Sequence, residues 1–300
     1  MDYNKINWPK ISVVTTNLNQ DVFLENTILS VINQEYPNLE YIIIDGESSD
    51  ESINIIKKYE DKITYWCSEK DNGLYDALNK GFKKANGEIL MWINSDDLLH
   101  PGSLANVAEI FTNFPQIDWI TGINISFDEL GRVIGADRAI GFTKYDFYSF
   151  NYQWLQQEST AWRRSLWEKA GSCLNTKYKY AGDLDLWVRF FRITTLYPCD
   201  ILIGGFRMRS KNQLSLDSLV TYHIEANEII KLENKNLSRS TLRILRLLKA
   251  IKLTRILLSY SILFDLKIFT RIMNRMERIL TKKPSPRIQV NRLTCSFEIK

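Results

Sequence analysis

Residues 11–59 read ISVVTTNLNQDVFLENTILSVINQEYPNLEYIIIDGESSDESINIIKKY, and this stretch decides the fold. Ile11-Ser-Val-Val-Thr15 is rich in β-branched residues and predicts a buried strand. Asp21 stands where a helix can start, and Phe23, Leu24, Ile28, Val31 and Ile32 recur at helical spacing until Tyr36-Pro37 ends the pattern. Leu39 to Ile44 predicts a second strand, and Ser49 or Asp50 caps a helix reaching about Tyr59. The alternation continues with a strand over Ile63 to Cys67, a helix over Leu74 to Lys84 stopped by Gly87, and a strand over Glu88 to Ile93. Strands alternating with helices at these lengths predict the α/β class: a mostly parallel sheet with right-handed crossovers and helices on both faces.

Beyond Pro101 the pattern is mixed. A helix is expected over Gly102 to Phe114, strands near Trp119 to Phe127 and Gly131 to Gly135, and a helix over Asp183 to about Arg192. An aromatic stretch from Tyr145 to Trp162 lies between them. From about Asp217 everything reads as helical. The expected organisation is therefore an α/β domain over residues 1–216 and a basic, amphipathic helical region over residues 217–300.

With 45% hydrophobic and 25% charged residues among 300, a disordered chain is excluded. Met1 to Lys10 does not resemble a signal peptide. The uncharged apolar run Ile256 to Phe264 falls short of the roughly 20 residues that a membrane span needs. The four cysteines, Cys67, Cys173, Cys199 and Cys295, form no CxxC pair and read as buried small apolar groups in a reducing compartment. The expected location is cytoplasmic. The net charge of +4 hides an asymmetry: residues 1–234 hold 23 Lys and Arg against 32 Asp and Glu, while residues 235–283 hold 13 against 2. An acidic body with a basic tail points to an anionic surface as the tail's partner.

In open parallel sheets, ligands bind beyond the carboxyl ends of the strands. Polar runs follow three of the predicted strands: Thr15, Thr16, Asn17 and Asn19; then Asp45-Gly46-Glu47; then Asn94-Ser95-Asp96-Asp97. Each run alone is also what turns and helix caps use; together, at the ends of one sheet, they point to a cleft. No GxGxxG, GxxxxGK[ST] or GxSxG occurs, which excludes a dinucleotide phosphate loop, a P-loop and a hydrolase elbow. With 2 histidines, a zinc site or a histidine-based triad has little to draw on. Carboxylates, amides and hydroxyls remain, and these hard oxygen ligands suit Mg²⁺ or Mn²⁺.

Three segments in this order, the one above together with DNGLYDALNKGFKKANGEILMWINSDD at 71–97 and YAGDLDLWVRF at 180–190, resemble family 2 glycosyltransferases of the bacterial surface-polysaccharide type. The resemblance covers roughly residues 9–215. It implies a GT-A fold, a Rossmann-like nucleotide-sugar-binding sheet, here with a C-terminal helical extension. It also implies that Asp45 hydrogen-bonds the donor's nucleobase and that Thr15 and Asn17 line the same pocket. Asp76, Asn79 and Lys80 match the segment lining the donor pocket. Asn94-Ser95-Asp96 occupies the DxD position, with Asp96 on a Mn²⁺ or Mg²⁺ ion that bridges the diphosphate. Asn94 replaces the usual first Asp, and Asp97 is left to orient the sugar or a metal-bound water. Asp183 matches the catalytic base. Asp185 is a rival two residues on, or a partner for a nearby Arg. Arg209 stands where relatives often carry His, as a diphosphate clamp or as a solvated loop arginine. Gln156, Gln157 and Glu158 lie where the family contacts the sugars. Tyr148, Tyr152, Trp154, Trp162 and Trp167 are expected in the core, with an acceptor platform as the alternative. The implied function is an inverting, metal-dependent transferase moving a sugar from a nucleotide donor, UDP by family resemblance, to a hydroxyl of a lipid-linked or growing polysaccharide. The alternatives are a sugar-phosphate nucleotidyltransferase and a catalytically silent membrane-associated relative.

Lys267, Arg271, Arg275, Arg278 and Lys282 fall within roughly 80° of one helix face, opposite Ile268, Phe269, Ile272, Met273, Met276, Ile279 and Leu280. This predicts a helix lying in a membrane interface, attached peripherally to the inner face of the cell membrane, rather than a nucleic-acid binder. A helical cap with a solvated basic side is the alternative.

Overall fold

The computed structural model describes residues 8–139, 141–150, 155–210, 218–259, 266–281 and 286–300. Its first half is the expected α/β unit: β1 (Ile11–Asn17), α1 (Asp21–Ile32), β2 (Leu39–Asp45), α2 (Ser52–Lys58), β3 (Tyr65–Ser68), α3 (Leu74–Lys84) and β4 (Ile89–Asn94). Strands β1, β2, β3 and β4 are parallel neighbours in the order 4-1-2-3. All seven residues of β1 are buried, as a parallel strand covered on both faces requires.

The sheet divides the interior into two apolar layers. Val14, Ile42, Ile44, Leu90 and Trp92 point to one side, where α3 packs. Ile11, Val13, Tyr41, Ile43, Met91 and Ile93 point to the other, against α1, α2 and α4 (Ser103–Asn113). The alternation of neighbouring residues between layers is the pleat itself.

The second half extends the sheet. The segment expected as one strand over Trp119 to Phe127 breaks at Gly122 into two pieces in different sheets. A β-carbon at Gly122 would lie 2.8 Å from the Ile201 carbonyl oxygen, so the chain turns there on a glycine. After β5 (Leu98–Leu99), β6 (Trp119–Thr121) joins the main sheet, and β7 (Asn124–Phe127) joins a smaller one with β8 (Val133–Asp137). Helix α5 (Lys144–Tyr148) precedes β9 (Thr160–Arg163), which lies antiparallel between β4 and β6. Then follow α6 (Arg164–Lys169), α7 (Gly182–Ile193), β10 (Tyr197–Pro198) and β11 (Gly204–Arg207), the last paired to β5 and β7. Four tryptophans, Trp92, Trp119, Trp162 and Trp187, come from β4, β6, β9 and α7 and are fully buried together. The Trp92 and Trp187 rings stack at 5.6 Å. Of the aromatic belt, Tyr148, Trp162 and Trp167 are core residues, and Tyr152 and Trp154 lie outside the described residues.

Helix α8 (Leu219–Lys235) buries Tyr222, Ala226 and Ile229 in the same layer as α7. The expected boundary at residue 216 falls outside the described residues, and α8 packs on the body rather than apart from it. Helices α9 (Arg239–Ser259) and α10 (Leu266–Thr281) follow. The chain is not helical to its end, however. β12 (Ile288–Val290) and β13 (Phe297–Ile299) form a hairpin, and Ile288 bridges Cys199 and is fully buried. The Arg287 guanidinium reaches Asp200 at 2.6 Å. Of the cysteines, Cys199 alone is fully buried; Cys173 and Cys295 are exposed, contrary to their expected burial, because each sits in a loop.

Gly81 tests how tightly α3 lies on β1. Alanine there would set its β-carbon 2.4 Å from a Val14 methyl. The helix propensity gained, about 1 kcal/mol, is outweighed by overpacking of about 1–3 kcal/mol against a stiff β-branched side chain. Gly81→Ala is therefore expected to lower the midpoint of thermal unfolding followed by circular dichroism.

Candidate active site

The carboxyl ends of β2 and β4 flank that of β1, so Asp45 and Asn94 stand roughly 10 Å apart across one strand. Asp45 is fully buried and accepts four hydrogen bonds. Its Oδ1 accepts from Asn17 Nδ2 at 2.7 Å and Ser48 Oγ at 2.6 Å; its Oδ2 accepts from the Ser48 amide at 2.9 Å and Ser68 Oγ at 2.7 Å. The carboxylate thus draws together three segments that are distant in sequence, and Asn17 sits beside it as expected. Thr15 is different. It is fully buried with its hydroxyl against that of Tyr41 at 3.2 Å, so it shapes the strand and presents no group to a ligand.

Asp76 and Lys80 are also turned to protein. Asp76 Oδ2 accepts from the Asn72 amide at 2.9 Å, and Lys80 pairs with Glu69 at 2.9 Å and donates to the Lys70 carbonyl. Asn79 clamps the Leu174 backbone in both directions. Asn79 thus ties α3 to the segment between α6 and α7, while Asp76 and Lys80 organise the loop between β3 and α3. Asp71 of that loop lies against Gly46, where a β-carbon would meet its carboxylate at 2.6 Å.

The segment after β4 carries Asp96 and Asp97, both set among other charges. Asp96 pairs with Arg209 at 3.2 Å, and Arg209 also donates to Gln20 Oε1 at 2.7 Å. Arg209 is therefore not a solvated loop residue but is held beside Asp96. Ser95 is buried, and its carbonyl oxygen accepts from Thr27 Oγ1 at 2.9 Å. Asp97, expected to face the sugar or a water, is fully buried. It accepts from the Arg207 amide at 2.9 Å and from Asn94 Nδ2 at 3.3 Å, which ties β11 to the β4 loop. Burial, with the charges of Asp96 and Glu158, pushes its carboxyl well above the usual range. Burial also raises Asp96, opposed by the Arg209 and Arg207 charges.

Arg207 escaped the sequence reading. Its guanidinium lies between the Phe23 and Phe127 rings, 4.7 Å from each centroid, and donates to the Asp96 carbonyl oxygen at 2.6 Å. The two arginines of Phe206-Arg207-Met208-Arg209 share a cluster, and residue type alone does not say which one is the buried support.

Asp183 is the second residue of α7 and keeps partial exposure. Its Oδ1 accepts from the Leu184 amide at 2.8 Å. Burial raises it to about 6, against the lowering effect of the Leu184 hydrogen bond. The Tyr75 hydroxyl stands 3.4 Å away and donates more closely to the Tyr180 carbonyl oxygen at 3.0 Å. Asp185 is ion-paired to Arg189 at 2.9 Å, the structural alternative foreseen for it. Glu158, at the turn before β9, is buried and raised to about 8 by that burial and by the Asp96 and Asp183 charges. The effects run in a chain: the charges of Asp96 and Glu158 act on Asp97, and those of Asp96 and Asp183 act on Glu158. Among the described residues, no three His, Cys, Asp or Glu side chains are arranged to hold a metal ion.

Residues 12–168 match the family model for glycosyl transferase family 2. The chain is 31% identical over 144 residues to an uncharacterized glycosyltransferase of Mycobacterium tuberculosis, covering 47% of this chain and 53% of that one. It is 26% identical over 201 residues to the GalNAc(5)-diNAcBac-PP-undecaprenol beta-1,3-glucosyltransferase of Campylobacter jejuni, covering 63% of this chain and 62% of that one. Among solved structures it is similar to S. aureus TarS 1–349 in complex with UDP-GlcNAc, with a TM-score of 0.61 and 18% identity over 79% of this chain and 70% of that one. The fold and site thus define a GT-A-type α/β protein. The chain belongs to glycosyl transferase family 2, and it spans about half the length of the Mycobacterium relative.

Glu225 of α8 supports the Asp183 loop: its carboxylate accepts from the amides of Lys179, Tyr180 and Ala181 at 2.8–2.9 Å. Glu225→Ala leaves those three donors unmatched, at about 1–3 kcal/mol each where burial keeps water out. The variant is expected to melt several degrees lower by differential scanning fluorimetry, and Glu225→Gln to recover part of the loss.

Proposed function

We propose that this chain is an inverting glycosyltransferase that moves a sugar from a nucleotide donor, with UDP as the nucleotide, to a hydroxyl of a lipid-linked or growing surface polysaccharide. The observation that supports the reading is the group beyond β4: Asp96 is held beside Arg209 and next to the buried, unpartnered Asn94 Oδ1, and its charge reaches the Glu158 carboxyl together with that of Asp183. Charge and proton handling fall to opposite ends of that group. The acceptor hydroxyl oxygen forms a bond to the anomeric carbon while the carbon–oxygen bond to the diphosphate breaks and its electron pair leaves with the phosphate. Asp183 takes the hydroxyl proton, a contribution of roughly 10²- to 10⁴-fold. Attack opposite the leaving group, with no covalent intermediate, inverts the centre. Arg209 carries a fixed positive charge beside Asp96, suited to the diphosphate oxygens.

A divalent cation suits the same end. Asn94 Oδ1 is buried without a hydrogen-bond partner, and with Asp96 it offers the hard oxygens that Mn²⁺ or Mg²⁺ takes. Asp96 and Asn94 would hold the ion, with phosphate oxygens and waters completing its shell. When bound, the ion supplies charge stabilisation for the departing diphosphate. The lipid-linked acceptor is supported by the similarity to the Campylobacter enzyme, and UDP by the TarS complex. A nucleotidyltransferase would need a Gly/Lys-rich loop after β1, where Asn17-Leu18-Asn19-Gln20 stands.

Peripheral attachment to the inner membrane face through the basic helices after residue 235 belongs to the same proposal. On α10, Arg271, Arg275 and Arg278 are exposed beside Ile272 (50% exposed), Met276 (44%) and Ile279 (70%). An exposed apolar stripe bordered by cations suits a headgroup interface. Lys282 lies outside the described residues, and among those described no helix is long and apolar enough to cross a membrane.

Two measurements test these roles. Because Asp183 acts only when unprotonated, kcat/KM is expected to rise with pH through about 6, the value to which burial lifts this carboxyl. Asp183→Asn should abolish that limb and lower kcat by about 10²- to 10⁴-fold while donor binding, followed calorimetrically, stays within about twofold. A flat profile, or full activity in Asp183→Asn, removes it from the base role. Separately, the full chain is expected to sediment with vesicles containing anionic lipid, more weakly as salt rises. The triple variant Arg271→Glu, Arg275→Glu, Arg278→Glu should stay in the supernatant; unchanged sedimentation would exclude α10 as the anchor.

A further inference from the structure

The β7–β8 hairpin has an uncovered apolar end. Leu130, Val133 and Ile134 are 79%, 60% and 57% exposed. Val133 and Ala136 lie opposite Phe127 and Ile125 in the ladder and so share their face of the small sheet. Phe127 and Ile125 are buried while Val133 and Ala136 are exposed, so that face is covered at β7 and open at β8. The neighbouring acids are turned away from it. Glu129 Oε1 accepts from the Ser210 amide at 2.7 Å and hydroxyl at 2.9 Å, and Asp128 pairs with Arg132 at 2.6 Å.

Two features decide what covers this end. First, the hairpin is poorly suited to a second protein chain. Among the described residues β8 is the edge of its sheet, but a bulge opposite Ser126 and Phe127 breaks its register, and Arg132, Asp137 and Arg138 set charges at both its ends. Bulges and charges are how sheet edges avoid pairing with another strand. Three aliphatic side chains are also far less than the roughly 800 Å² per partner that a stable protein interface takes. A bilayer demands neither a matching edge nor a matching shape.

Second, the root of the hairpin is tied to the segment after α10. Arg138, which follows β8, donates through Nε to Asp200 at 3.0 Å; Arg287 donates to the same carboxylate at 2.6 Å and to the Ala139 carbonyl oxygen. Two guanidiniums on one carboxylate leave a net positive charge at this root, which complements anionic headgroups. The chain from Thr281, the last residue of α10, to Arg287 can reach at most about 22 Å. The end of α10 therefore lies near the root of the hairpin.

We infer that the β7–β8 hairpin is a second membrane contact, in which Leu130, Val133 and Ile134 enter the bilayer interface while α10 engages the headgroups. This rests on the peripheral attachment proposed above. It also bears on the site, because the Arg207 guanidinium donates to the Glu129 carbonyl oxygen at 3.0 Å and to the Asp96 carbonyl oxygen at 2.6 Å. A hairpin seated in the membrane brings the end of β4 to the membrane surface.

Partition of the full chain onto phosphatidylcholine vesicles containing phosphatidylglycerol separates the two contacts. At about 1 M salt the Debye length shrinks to about 3 Å, and the contribution of α10 is screened. The wild-type chain is expected to keep a salt-resistant bound fraction. The variant Leu130→Ser, Val133→Thr, Ile134→Thr should lower that partition by about tenfold or more while melting with the wild type, since all three sites are exposed and the threonines keep β-branching. Leu130→Trp, which adds an interfacial aromatic, should raise it and needs no loss of structure to be excluded. High-salt partition unchanged by both variants, or a wild-type chain that leaves the vesicles entirely at high salt, overturns the inference and leaves attachment through α10 intact. So does a wild-type dimer, seen by sedimentation velocity without vesicles, that the triple variant converts to monomer: the patch is then a contact between copies. If the wild-type chain binds no vesicles at low salt, the attachment reading falls and the hairpin contact falls with it.

Discussion

The buried cluster of four tryptophans, three stacked and Trp162 edge-on to two of them, is the contact on which the arrangement depends. Trp187 places α7 against β4, β6 and β9, with its ring parallel to that of Trp92 at 5.6 Å and stacked on Trp119 at 5.3 Å. Buried aromatic rings are large, and interiors of this density do not slide continuously. The start of α7 is therefore fixed relative to the end of β4. Asp183 sits one turn before Trp187 on α7, and Asp96 lies two residues beyond β4. Without that stack, Asp183 and Asp96, the carboxylates proposed for the base and the phosphate side, would have no defined separation.

On this rigid frame the chain assembles carboxylates that oppose one another. Bringing Asp96, Asp97, Glu158 and Asp183 together in low-dielectric surroundings favours their neutral forms, and the raised values of all four express that cost. The compensation comes from backbone amides and from Arg207, sandwiched between Phe23 and Phe127. Asp97, held on the Arg207 amide, serves as a joint between two sheets and not as a group facing substrate. Such spending of stability on like charges is expected where function, not folding, selects the residues.

Strands β1, β2 and β4 were legible because parallel strands covered on both faces leave unbroken apolar runs, and β3, only partly buried, followed from the clear period of the helices around it. The later strands were not. β5 and β10 have two residues each, and β9 has four, Thr160–Arg163, at the end of a stretch that mixes aromatic with polar residues, so no period survives. The terminal hairpin was hidden by the basic helices before it, and it is held in place by Cys199 and Asp200, far away in sequence. The site divides the same way. Asp45, Asp96 and Asp183 stood out as acidic groups at strand and helix ends within quoted motifs. The partners that decide what each can do, Ser68 for Asp45, Arg207 for Asp97 and Gly204 for Glu158, come from elsewhere in the chain and carry no local signal.

Helix α8 lies between the layer that holds α7 and the basic helices that follow it in the chain. Its buried side, through Tyr222, Ala226 and Ile229, packs into the layer that holds α7, and Glu225 on the same helix collects three amides of the loop leading to Asp183. Its last residue, Lys235, is followed within a few positions by α9 and the basic, partly apolar pair of helices. Helix α9 thus begins a few residues after an element that packs against α7 and braces the loop before Asp183, the residue proposed above as the base.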